Sequence, residues 1–232
     1  MLEEKQILIL FPCSGEKNSY VYRETFSPDE ERRIVDFIRV TRDYLIRGRE
    51  ELARLPNIID FDSEPLPALD LYNGKLYKVP NFREKIREAY LEEDIHILIM
   101  SGAYGVVYPS ERIPYYKKPI NAAYWKKYRL SGVIEEYIEK YKISFVYGFF
   151  SQSTDYMKIV RNVDWMGLKD KSELQEAKTY YVNFRGIGGA QAIVPRITGE
   201  LIVSFIDSGF TGENFYQNPF SGQIIEYVDH LL

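Results

Sequence analysis

Five residues combine a reactive type with a setting that offers chemistry: Lys17, Ser14, Ser101, Tyr104 and Asp155. A lysine amine stabilises developing negative charge, or attacks as a nucleophile once desolvated. The hydroxyls of Ser14, Ser101 and Tyr104 can orient a substrate. Asp155, with Asp70 as the alternative, serves as an acid or base if burial raises its pKa. A Ser-His-Asp triad is not supported, because His96 lies inside an apolar run and His230 near the C-terminus. Cys13 is the one cysteine, and Lys17 beside it would lower its pKa. The alternative is a small buried residue at a strand end, the commoner fate of an unpaired cysteine.

These residues sit where apolar runs stop. Gln6 to Phe11 ends in Pro12-Cys13-Ser14-Gly15-Glu16-Lys17. Ile95 to Met100 ends in Ser101-Gly102-Ala103-Tyr104-Gly105, whose two glycines allow a tight turn and a close approach to a ligand. Ile143 to Phe150 ends in Ser151-Gln152-Ser153, and Thr179 to Phe184 in Arg185-Gly186-Ile187-Gly188-Gly189. Runs of this length read as buried strands. If the four are parallel neighbours, their loops gather on one edge, where open α/β sheets bind ligands. An ordinary strand-to-helix turn explains each loop singly. The expected fold is α/β, a single domain over residues 1–232 with a mostly parallel or mixed central sheet flanked by helices. Tyr72, Gly74, Gly102, Gly105, Tyr115 and Ser153 are the expected ligand contacts.

Between the strands, Ser27-Pro28-Asp29-Glu30 reads as a helix start with a capping box. A stripe of Ile34, Phe37, Ile38, Thr41, Leu45, Leu52 and Leu55 follows, with Glu31, Arg32, Arg39, Arg42, Arg49 and Glu50 as its solvated face. Pro56-Asn57 closes that helix. Residues 60–80 read as a loop containing a tight turn or hairpin at Asn73-Gly74. Asn81 caps a short helix with Phe82, Ile86, Ala89 and Tyr90 facing inward, and Glu84 in the capping-box position. A helix is expected at about 121–141, and another opens at Ser153-Thr154-Asp155. That opening is a natural anion site, although N-capping alone explains the same residues. A further helix runs from Ala190 to Ile206, bent or interrupted near Pro195, and a last short one covers 223–231.

The chain has 232 residues, 45% of them hydrophobic, with 20 Tyr and 13 Phe. Its formal net charge is −4 and its pI about 5.4, which argues against a whole-surface grip on nucleic acid. One local cluster runs the other way. Arg112, Lys117, Lys118, Lys126, Lys127 and Arg129 interleave with Tyr115, Tyr116, Tyr124, Trp125 and Tyr128. Cations contact phosphates and rings stack on bases, so this composition suits a single-stranded or distorted nucleic acid. A helix with a solvated basic face and a buried aromatic face suits it equally. One Cys and two scattered His do not make a zinc site of the usual ligand types, no metal is assigned and no cofactor is expected. No signal pattern and no apolar run of about 18 residues is present, so the expectation is a cytoplasmic protein without a membrane partner.

Several of these stretches resemble the YaaA family of peroxide-stress proteins. Phe11-Pro12-Cys13-Ser14-Gly15-Glu16-Lys17 is similar to the family's Ser-Pro-Ala-Lys-type motif after the first strand, and Leu71-Tyr72-Asn73-Gly74 to its Tyr-x-Gly element. Met100 to Pro109, followed by Ile113-Pro114-Tyr115, resembles its Leu-Ser-Gly-Leu-Tyr-Gly-Val-Leu-x-Pro motif and the Pro-Tyr after it. Ser153-Thr154-Asp155-Tyr156-Met157-Lys158 is similar to a Ser-x-x-Tyr-x-Lys element. The order holds from residue 6 to about 160. The resemblance implies an α/β protein with a cleft walled by these motifs. It also implies a role in protecting DNA or iron balance under oxidative stress, with DNA bound through a helix-hairpin-helix-like element. No Gly-rich hairpin between basic helices is evident here.

Three functions follow as expectations. The first is binding of nucleic acid (DNA) or a nucleotide-like small molecule in a cleft at the strand C-termini. The second is catalysis on a nucleobase, nucleoside or nucleotide in that cleft. The third is a non-catalytic scaffold whose exposed tyrosines form a protein interface.

Overall fold

A computed structural model describes residues 5–181, 190–211, 216–217 and 227–231. Its centre is strand β1 (Ile7–Pro12), where Leu8 to Phe11 are fully buried. A strand apolar at every position cannot face water on either side, so it belongs in the middle of a covered parallel sheet. It lies there. β3 (Ile95–Ser101) pairs parallel with β1 on one side and β6 (Phe145–Phe149) on the other, and β7 (Glu176–Tyr181) pairs parallel with β6. The four expected strands are therefore consecutive parallel neighbours. Two antiparallel strands close the edges, β4 (Gly105–Val107) against β3 and β8 (Tyr227–His230) against β7. The full order is β4-β3-β1-β6-β7-β8. A small second sheet pairs β2 (Leu66–Pro67) with β5 (Arg112–Ile113).

The helices are α1 (Arg42–Ala53), α2 (Ala68–Leu71), α3 (Phe82–Leu91), α4 (Ala122–Lys127), α5 (Leu130–Lys140), α6 (Asp155–Val160), α7 (Trp165–Lys171) and α8 (Ala190–Asp207). Phe82, Ile86, Ala89 and Tyr90 are buried on α3 as their spacing requires. Asn81 precedes α3 with φ 60° but makes no side-chain cap bond. One contiguous hydrophobic cluster joins both faces of the sheet to these helices.

Several elements differ from the sequence reading. The Ser27–Glu30 pair does form, with the Ser27 N–H donating to the Glu30 carboxylate at 2.8 Å, but only a 3-10 turn follows (Pro28–Glu30). A second 3-10 turn (Ile34–Asp36) intervenes before α1. The amides of Arg39, Val40 and Thr41 donate to the Glu136 carboxylate instead of to helix carbonyls, which stops a continuous helix over 28–55. The stripe of Ile34, Ile38, Leu45 and Leu52 still reported burial correctly. Asn73-Gly74 closes no hairpin, because β2 finds its partner in β5, far along the chain. The helix expected over 121–141 is two helices, broken where Arg129 takes φ 50°. α8 runs through Pro195 without interruption. Where a helix was expected at 223–231, the described residues Tyr227–His230 form the edge strand β8, and Tyr and Val are residue types that favour strands. The strand expected at 179–184 begins earlier, at Glu176, and is described as far as Tyr181. The loop Arg185 to Gly189 lies outside the described residues.

Candidate functional site

Parallel pairing brings the ends of β3, β1 and β6 to one edge, and the four motif stretches, residues 11–17, 71–74, 100–109 and 153–158, meet there. The Cys13 N–H donates to the Met100 carbonyl at 2.9 Å, which joins the first loop to the third motif. The Asn18 amide donates to the Leu71 carbonyl (2.8 Å) and Asn73 to Glu16 (2.9 Å), with an antiparallel bridge between Lys17 and Tyr72. Gly74 permits this approach, since a Cβ there would stand 2.1 Å from Ser14 Oγ. The fourth motif arrives through Tyr156, whose hydroxyl lies 3.2 Å from Cys13 Sγ.

Behind the loop is a buried polar triangle. The Tyr72 hydroxyl lies 3.1 Å from Ser101 Oγ and 3.0 Å from the Tyr116 hydroxyl, and Ser101 Oγ is 3.0 Å from Tyr116. Tyr72, Ser101 and Tyr116 are at most 1% exposed. Burial drives both tyrosines far above their ordinary pKa, so they stay protonated. The Lys17 amine sits 4.0 Å from the centre of the Tyr116 ring and donates to the Ser14 carbonyl at 2.9 Å. Desolvation by burial pulls its pKa below the lysine range, and the neighbouring Cys13 acts in the opposite sense. An amine held this way is nearer to being a nucleophile than a surface lysine is.

The adjoining cavity has a volume of about 500 Å3. Pro12 to Glu16 form one wall, Gly74 to Leu76 a second, and Phe149 to Ser151 with Thr154 and Tyr156 a third; Val194, Pro195 and Thr198 of α8 complete it. Phe150 and Tyr156 stack almost parallel, at 11° and 5.8 Å between ring centres. The chain leaves β1 toward β3 on one side, and leaves β6 toward β7 on the other. The crevice between β1 and β6 is thus the topological switch point of the sheet, and the cavity occupies it.

The structure sorts the expected residues. Ser14 and Gly74 line the cavity, and Lys17 stands beside Ser14. Ser101 and Tyr72 support the loop from inside the core and are not open to a ligand. Tyr104 is buried, its hydroxyl has no hydrogen-bond partner among the described residues, and its ring packs 5.4 Å from Tyr116. Gly102 and Gly105 face protein rather than ligand: a Cβ on the first would lie 1.9 Å from the Lys118 carbonyl oxygen, and on the second, at φ +73°, 2.8 Å from Leu45. Asp155 is no raised-pKa acid. Its bonds to Lys158 (2.7 Å) and the Ala122 amide (2.9 Å) hold it below the ordinary aspartate value. Asp70 is raised by burial, yet it opens on a separate polar cleft of about 1000 Å3 and is held by Thr25. The charges there largely pair with each other, Arg87 with Glu30 and Arg83 with Asp70, so the smaller cavity is the stronger candidate. Ser153 is exposed, and Thr154 caps α6 in its place. Tyr115 lines a third hollow with Asn57 to Asp62.

The basic cluster is not a stacking platform. Tyr116, Trp125 and Tyr128 are buried, Tyr115 and Tyr124 half-buried. Lys117, Lys126, Lys127 and Arg129 are exposed and Lys118 half-buried; Lys127 pairs with Glu51 at 2.9 Å. Arg49, expected on a solvated face, turns inward, pairs with Glu111 at 2.8 Å and donates to the Tyr104 and Val106 carbonyls. It braces the turn between β3 and β4.

Phe150, Thr154, Val194 and Thr198 were absent from the expected site. Tyr156 was legible within its motif, whereas the α8 residues carry no local signal. Among the described residues no group of three or more His, Cys, Asp or Glu could hold a metal ion, and no helix is long and apolar enough to cross a membrane. Comparison with protein-family models finds no match, and comparison with curated proteins finds none either.

Proposed function

We propose that this chain binds a small nucleotide-related ligand in the cavity between β1 and β6. The observation that carries this reading is the cavity's place at the switch point, where the ends of two parallel strands diverge and leave room for a ligand. The half-buried Tyr156 ring, backed by the buried Phe150, offers an aromatic surface to a planar group. The YaaA-like motifs support the nucleotide-related class, since four of them converge on this one edge. DNA binding through residues 112–129 has less behind it, because three of the five rings there, Tyr116, Trp125 and Tyr128, are buried in the core.

Catalysis in the same cleft is the second reading, favoured by Lys17. Its desolvated amine donates to the carbonyl of the cavity-lining Ser14, and in this reading it would stabilise negative charge on a bound substrate or attack its carbonyl.

Thermal shift against nucleobases, nucleosides, nucleotides and short single- and double-stranded DNA, at two salt concentrations, tests both. A bound ligand raises Tm by mass action. The expected result is a rise with a small compound that salt hardly changes and that Lys17→Ala reduces. A shift with DNA alone, falling steeply with salt, would replace this reading with a nucleic-acid-binding one. Turnover of the bound compound by the wild type, lost in Lys17→Ala, would establish the enzyme.

A further inference from the structure

We infer that the occupant of the β1–β6 cavity is an uncharged planar heterocycle, a nucleobase or nucleoside without a phosphate. This rests on the reading above and narrows it. The described lining holds two charged residues of opposite sign, Glu16 and Lys75. Glu16 is itself held by Lys78 at 3.1 Å on the outer rim. Among the described lining residues a phosphate would meet the Glu16 carboxylate as well as the Lys75 amine, and no arginine fork, the bidentate means of holding it.

The remaining lining suits a neutral ring. Leu76, Val194 and Pro195 are apolar, with Phe149 and Phe150 buried in the wall. The hydroxyls are uncharged and partly committed. Thr154 donates to the Ser151 carbonyl at 2.7 Å and accepts the Met157 N–H at 3.4 Å, which leaves it one lone pair as an acceptor; Thr198 donates to the Val194 carbonyl at 2.9 Å and keeps its lone pairs. Ser14 Oγ accepts the Glu16 N–H at 3.1 Å and keeps its own proton to donate. A few fixed donors and acceptors around an apolar slot are what orients a base edge, and about 500 Å3 is ample for a nucleoside.

Calorimetric titration of the full chain with a free base, its nucleoside and its 5′-monophosphate, at one ionic strength, tests the inference. The expected result is that base and nucleoside bind at least tenfold more tightly than the monophosphate. Glu16→Lys, an exposed change, is expected to narrow that gap by strengthening the monophosphate alone. Val194→Trp, which fills the slot, is expected to abolish all binding. A monophosphate that binds the wild type as well as its nucleoside overturns the inference and leaves the proposed site standing. No binding by any of the three overturns both.

Discussion

His96 stands at the start of β3, at the end remote from the cavity, and its chemistry gives a stability prediction that can be worked through. The Nε2 proton goes to Gln6 Oε1 at 2.9 Å, and Nδ1 lies 2.9 Å from the Tyr137 hydroxyl. Tyr108 in turn donates to Tyr137 at 3.1 Å. This chain of bonds requires neutral imidazole, because a proton on Nδ1 would face a hydroxyl already directed at it. Burial, helped by Arg32 and opposed by Asp94, pulls the pKa from 6.5 to about 4. A folded-state pKa below the unfolded one means that the unfolded chain binds more protons in this window. The stability is therefore complete above pH 6.5 and is lost as pH falls toward 4. A displacement from 6.5 to about 4, at about 1.4 kcal/mol for each tenfold, amounts to about 3 kcal/mol at pH 4. Urea unfolding of wild type and His96→Gln between pH 7.5 and 4 isolates this from the carboxylates, which titrate in both proteins. The wild type should lose about 3 kcal/mol more than the variant over that range. Parallel stability profiles for the two proteins would refute the argument.

Four further outcomes follow from the site and its supports. Arg49→Ala leaves the buried Glu111 side chain without its ion-pair partner, with the Ile34 and Tyr108 amides still beside it, and should cost about 3–5 kcal/mol in urea unfolding, because the ion pair is largely shielded; a loss below 1 kcal/mol would show that water reaches the pair. Gly102→Ala should lower Tm, since its Cβ would overlap the Lys118 carbonyl oxygen, at a cost of about 1–3 kcal/mol or more. Gly15→Ala, with nothing within 4 Å of the added atom, should stay within about 0.5 kcal/mol of wild type. The Lys17 amine, followed by NMR of its Nζ, should titrate below the ordinary value of about 10.4. A lowered lysine pKa means that the folded state gains stability as pH rises through that window, and a normal titration would remove the basis for a nucleophilic role.

Much of the architecture was legible in the chain itself. Leu8 to Phe11 and Ile97 to Met100 are apolar at every position, and only a covered parallel sheet buries both faces of a strand. The polar loops at their ends then had to share an edge. Residues 28–41 were misread because spacing reports burial and not hydrogen bonding: Ile34 and Ile38 are buried as a helix would bury them, while the nearby amides bond to Glu136.

The site divides along the same line. Residue type and order determined the loops, the small residues at Ser14 and Gly74, and the Lys17 amine among tyrosines. Tertiary structure decided which of them face a ligand. Gly102 and Gly105 looked like ligand contacts, and their space is taken by Lys118 and Leu45. Asp155 looked like an acid, and Lys158 neutralises it. Tyr156 reaches Cys13 across 143 positions, and α8 closes the cavity from farther along the chain. Local sequence carries the preferences of a backbone and of one face of an element. The partner of a side chain is set by strand order and crossover, which join residues too distant for any local pattern to record.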